Sequence, residues 1–223
     1  MTTQTLDPFV TNRTAELSVN KVLRNTYALL SMTLLFSAVT AGISMTLNLP
    51  HPGLLLTLVG YFGLLFATTR YRNSGLGLVF VFALTGFMGY TLGPILNTYL
   101  SLANGGQLVM TAMGATAAIF LGMSAYALVS RRDFSFMGSF LIVGIVVGFL
   151  AGVGAILFEM PALSLAVSAV FVLLMSGLIL YETSNIVHGG ETNYIMATVT
   201  LFVSIFNLFT SLLHLLGFMG GQE

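Results

Sequence analysis

The chain has no cysteine and almost no charge: seven Lys plus Arg and seven Asp plus Glu in 223 residues, 6% in all. The missing cysteine excludes disulfides, thiolate metal sites and a cysteine nucleophile. The missing charge excludes an ordinary water-facing surface, since soluble domains average about 25% charged residues. A formal net charge of zero and a pI near 6.8 argue against nucleic acid, which calls for a basic surface. HExxH, paired aspartates and a Walker sequence are absent, so metal hydrolysis and nucleotide chemistry lack support. Gly122-Met-Ser124 lacks the following glycine of a serine-nucleophile motif. The last apolar run carries no Lys, which excludes a retinal Schiff base. The expectation is a non-enzyme without a cofactor.

What is present is hydrophobic: 57% of residues, with a mean hydropathy of +0.98. A membrane-crossing helix needs about 20 apolar residues. Seven such runs are legible, at 26–47, 53–70, 75–97, 107–129, 135–158, 162–187 and 193–217. Breakers separate them: Pro50 and Pro52, Arg70 to Ser74, Asn104 to Gly106, Arg131 to Asp133, Pro161, and Gly189 with Gly190. The first run is too long for a signal-peptide core and lacks a cleavage site, so it is expected to stay as an anchor. The reading is an all-α integral membrane protein: a flexible tail over 1–25, one seven-helix domain over 26–217, and a short tail over 218–223.

The few cations are distributed on one side. Arg13, Lys21 and Arg24 precede the first run, Arg70 and Arg72 follow the second, and Arg131 and Arg132 follow the fourth. The alternate connections, around His51, Asn104 and Glu159, hold no Lys or Arg. Basic residues stay cytoplasmic during insertion, so the N-terminus is expected in the cytoplasm and the C-terminus outside. The sixth-to-seventh connection contains His188 and Glu191 but no Lys or Arg, and is cytoplasmic by parity alone.

Polar groups inside the spans are candidate functional residues, because each is costly in lipid. Glu182 lies about five residues before the end of the sixth run, so roughly 7–8 Å deep at about 1.5 Å per residue. Desolvation there favours the neutral acid, which suggests pH sensing. Asn185 shares its helix face, and Ser204 and Asn207 repeat the three-residue spacing on the seventh run, with Ser211 beyond. Two facing stripes would form a hydrogen-bonded seam or an ion path. His214 is expected near the outer interface. Gly144, Gly148 and Gly152, four residues apart on the fifth run, predict close helix packing within the monomer, with a homodimer as the alternative.

Three stretches carry a resemblance. They are Gly86-Phe-Met-Gly-Tyr-Thr-Leu-Gly-Pro-Ile-Leu-Asn-Thr-Tyr99, then Ser124-Ala-Tyr-Ala-Leu with Arg131-Arg-Asp-Phe-Ser135, then Tyr181-Glu-Thr-Ser-Asn-Ile-Val-His-Gly-Gly-Glu-Thr-Asn-Tyr194 leading into Leu201-Phe-Val-Ser-Ile-Phe-Asn-Leu-Phe209. Over nearly the whole chain they resemble the Bax inhibitor-1 (transmembrane Bax inhibitor motif) family. Lys21-Val-Leu-Arg-Asn-Thr-Tyr27 and the run after His188 are most similar to its bacterial members that modulate the FtsH protease. The resemblance implies a central seventh helix surrounded by the other six, and residence in a bacterial inner membrane. It also implies binding to FtsH and its associated membrane proteins, in competition with other substrates. The alternative it implies is a pH-sensitive leak for calcium ions, gated by paired acids on the sixth and seventh helices. Here Glu182 keeps the first acid, but Ser204 stands in place of the second, and the second run has no internal Arg. An acid beside a hydroxyl lacks the coupled titration of two carboxylates.

Overall fold

The computed structural model describes residues 8–220, with side chains from residue 17. Seven α-helices follow one another: α1 Pro8–Thr46, α2 Leu54–Tyr71, α3 Gly75–Leu100, α4 Gly105–Ser130, α5 Gly138–Leu157, α6 Pro161–Val187 and α7 Tyr194–Gly220. A single 3-10 turn, Ser135–Met137, leads into α5. All seven are long and apolar enough to cross a membrane. Among the described residues no strand forms.

The sixth and seventh helices match the expected spans within a few residues, and the first does not. Residues 8–25, expected in a flexible tail, are the first half of α1. Pro8 opens the helix instead of breaking it, because the first turn needs no N–H from that position. From Phe9 to Tyr27 no Gly or Pro interrupts propagation into the apolar run. The candidate span itself is Leu17–Thr46. At the other end α7 includes 218–220, leaving 221–223 and 1–7 outside the described residues.

The seventh helix is central. It packs against α1, α3, α4 and α6, while α2 packs on α3 and α5 on α6. Leu201, Ser204, Leu208 and Leu213 on α7 are wholly buried, whereas Phe140, Ile142, Val143 and Val147 on α5 face outward. The expected ring around α7 therefore has an inner and an outer tier.

Small residues set the closest approaches, since lipid provides no hydrophobic force between helices. A Cβ at Gly89 on α3 would overlap the Ser37 carbonyl and the Thr40 hydroxyl of α1. Nearby, the Ser44 hydroxyl donates to the Tyr90 carbonyl at 2.9 Å, tying α1 to α3. On α5, a Cβ at Gly144 would come within 2.7 Å of Leu174, and at Gly148 within 2.8 Å of Phe171, both on α6. At Gly152 it would meet only Val167, at 3.5 Å. The glycine stripe thus faces α6 inside one chain.

Hydrogen bonds sort the connections into two ends. The Asn193 amide, before α7, donates to the Arg72 carbonyl at 3.1 Å and to Asn73 Oδ1 at 2.8 Å. His188 lies against the Arg131 carbonyl at 3.1 Å. At the opposite end the Tyr90 hydroxyl donates to the Pro50 carbonyl, and the Asn97 amide to that of Met45. The sixth-to-seventh connection, placed above by parity alone, therefore shares an end with Arg72 and Arg131.

Candidate functional site

The last two turns of α6 hold three adjacent buried polar groups. Glu182, Thr183 and Ser184 are consecutive and all buried, a run that a helix can hide only when several neighbours surround it. Thr183 faces two of them: its hydroxyl lies 3.3 Å from the Tyr27 hydroxyl of α1 and 3.5 Å from that of Ser124 on α4. Ser184 faces the connection after α4. Its hydroxyl donates to the Arg132 carbonyl at 3.0 Å and accepts from the Phe134 amide at 3.1 Å. One serine so satisfies two backbone groups of a loop that has no regular structure to satisfy them.

His188 completes the clasp one turn later. Its Nδ1 lies 2.8 Å from the Ser184 carbonyl and its Nε2 3.1 Å from that of Arg131. Carbonyls only accept, so both contacts are hydrogen bonds together only when both ring nitrogens carry hydrogen. In the same loop Asp133 accepts from the Ser135 amide at 2.8 Å. That backbone bond, with help from the Ser135 side chain and from nearby His188, holds its carboxyl below the usual range.

Glu182 is the exception in this well-bonded region. It is buried, and its Oε1 has no hydrogen-bond partner. The Thr26 hydroxyl on α1 is buried and unpartnered as well.

The predicted seam between α6 and α7 does not form by hydrogen bonding. The Ser204 hydroxyl donates to the Thr200 carbonyl at 2.7 Å, and the Asn207 amide to the Val203 carbonyl at 2.8 Å. Both turn back onto their own helix, the usual local solution for a polar side chain in a dry helix. Asn185 serves the next loop: its carbonyl accepts from the Gly190 amide at 2.8 Å. Among the described residues no hydrogen bond joins Glu182 or Asn185 to Ser204 or Asn207. His214, six residues before the end of α7, is half-buried, with Nδ1 2.8 Å from the Ser168 hydroxyl of α6. Among the described residues no three His, Asp or Glu side chains gather as a metal site.

Sequence reasoning missed Thr26, Tyr27 and Thr183. Their signal was available, as polar groups at the start of the first apolar run and next to Glu182 in the sixth, but which faces meet depends on helix rotation.

A model of the family described as "Inhibitor of apoptosis-promoting Bax1" matches residues 19–221. The chain belongs to the Bax inhibitor-1 family. Its relatives include the "Modulator of FtsH protease YccA" of Escherichia coli K12, 58% identical over 207 residues, covering 93% of this chain and 94% of that one. The "Inner membrane protein YccA" of Escherichia coli O6:H1 has the same identity and coverage. An uncharacterised membrane protein of Vibrio cholerae is 45% identical over 208 residues, covering 93% of each chain. In this Bax inhibitor-1 member, two of the stretches that carry the resemblance meet in space. The residues after Ser124 and those after Tyr181 are joined by Thr183, Ser184 and His188.

Proposed function

We propose that the chain is a multi-pass protein of the bacterial inner membrane that modulates an FtsH-type ATP-dependent protease by binding it and competing with other membrane substrates. The carrying observation is the 58% identity, over 93% of the chain, to the modulator of FtsH protease. The inner-membrane setting is supported by the similarity to the inner membrane protein YccA and by the seven spans. The end holding Lys21, Arg24, Arg70, Arg72, Arg131 and Arg132 faces the cytosol by the positive-inside rule, with the C-terminus on the far side.

The packing supports a mechanism. A protease that pulls on the segment ahead of Leu17 must peel α1 from α3, where backbones approach closely at Gly89, and from the buried α7. A substrate engaged but slow to extract occupies the protease. The leak reading gains no support from the geometry, because Ser204 hydrogen-bonds within its own helix.

Co-purification with FtsH from solubilised membranes tests the binding. Removing residues 2–16 tests the grip, and a longer half-life in cells with active FtsH is expected. An unchanged half-life with retained binding would leave modulation standing and remove the grip.

A further inference from the structure

At the end where the basic residues gather, α1, the ends of α4 and α6, and the 188–192 connection enclose a cavity of about 960 Å³. Its polar lining includes Lys21, Asn20, Asn25, Arg131, His188 and Glu191. Both His188 nitrogens face carbonyls, and Glu191 Oε1 accepts from the Asn193 amide at 2.6 Å, so its one negative charge is turned to the backbone and is outnumbered by the two cations. Among the described residues the Lys21 ammonium and the Arg131 guanidinium have no hydrogen-bond or ion-pair partner. What the cavity offers is therefore two unpaired cations and two side-chain amides against one carboxylate, a net positive lining. Their natural complement is a compact, oxygen-rich anion.

Arg131 is also held in an unusual backbone. It closes α4 in the left-handed region at φ +50°, which a non-glycine residue seldom adopts. The His188 ring against its carbonyl fixes that conformation. Such strain persists where the surroundings over-determine it, often at ligand clamps. The location narrows the ligand. Arg131 directly follows the candidate span Gly105–Ser130, and Lys21 stands one turn inside Leu17–Thr46, so the cavity mouth lies at headgroup level. Val22, Leu128 and Val187 line it beside the cations, giving the apolar wall that a glycerol and the start of an acyl chain require.

We propose that this cavity binds the anionic phosphate headgroup of a phospholipid from the adjacent leaflet, held by Lys21 and Arg131. Basic pockets between membrane helices recognise such headgroups by charge and hydrogen bonding. This site lies outside the protease-modulator reading and stands without it.

The full chain is reconstituted into vesicles of equal phosphatidylglycerol and phosphatidylcholine and extracted in mild detergent. Retained lipid is then counted by native mass spectrometry. Enrichment of phosphatidylglycerol is expected, falling about fivefold for each cation removed in Lys21→Gln and Arg131→Gln. The charge-keeping pair Lys21→Arg and Arg131→Lys should retain it, and Arg70→Gln with Arg72→Gln, outside the cavity, should leave it unchanged. Three results overturn the proposal: no enrichment, equal loss in the Arg70 and Arg72 variant, or displacement of the lipid by inorganic phosphate.

Discussion

Glu182 bears a buried carboxyl oxygen with no partner, and burying an unpaired polar group costs about 1–3 kcal/mol. Methionine has a similar length and no such cost. Glu182→Met should therefore raise the thermal midpoint of the purified protein. A fall of several degrees would show that water or another group pairs with the acid in the membrane. Ser184 presents the opposite case, because its single hydroxyl serves the Arg132 carbonyl and the Phe134 amide. Ser184→Ala should lose about 1–2 kcal/mol of stability and speed hydrogen exchange at the Phe134 amide. Asp133 gives a pH signature. Its folded carboxyl titrates below the ordinary range, so its contribution is complete above that range and is lost as the pH falls from there through the lower folded value. Asp133→Asn should flatten this acid-side loss in a melting series. An unchanged acid limb would assign the loss to other groups.

At the scale of the helix, the α5 glycines divide by what faces them. Gly144 and Gly148 sit against Leu174 and Phe171, whereas Gly152 has only an ordinary contact with Val167. Overpacking a fitted interior costs about 1–3 kcal/mol. Gly148→Val should destabilise by about that amount, and Gly152→Ala should be nearly neutral, both read as shifts in thermal midpoint. Equal effects at the two positions would mean that α5 and α6 are not paired in this register. The stripe itself was visible as a four-residue repeat. Its partner was not, because spacing along one helix carries no information about which neighbour it meets.

For the whole molecule, the decisive property is that every basic connection shares one end. Lys21 and Arg131 line one cavity, and Asn193 ties the connection before α7 to Arg72. Reporters fused at residues 1 and 223 should accordingly report opposite sides of the membrane. The same compartment for both would contradict seven crossings, and residue 1 outside with residue 223 inside would reverse the proposed orientation and remove the cytosolic N-terminal handle for a protease. The central place of α7 adds a further reason to resist extraction. Its packing on α1, α3, α4 and α6 means that pulling out α1 disturbs the core rather than an edge.

Seven apolar runs were enough to specify class and span count, since lipid demands backbone-satisfied helices, and the placement of seven cations carries the proposed sidedness, since insertion sorts Lys and Arg. The start of α1 was misread because composition near Pro8 is that of a tail, while helix propagation from a long apolar run is cooperative. The candidate site was half legible. Glu182 stood out as an acid in lipid, but its isolation from Ser204 and Asn207 was decided by their rotation and by back-bonding within α7. The clasp of Ser184 and His188 on the loop after α4, and the cavity beside it, join residues some fifty positions apart. Only the packing of α4 against α6 brings those groups into reach, because hydrogen bonds act over a few ångströms and sequence spacing does not measure that distance across helices.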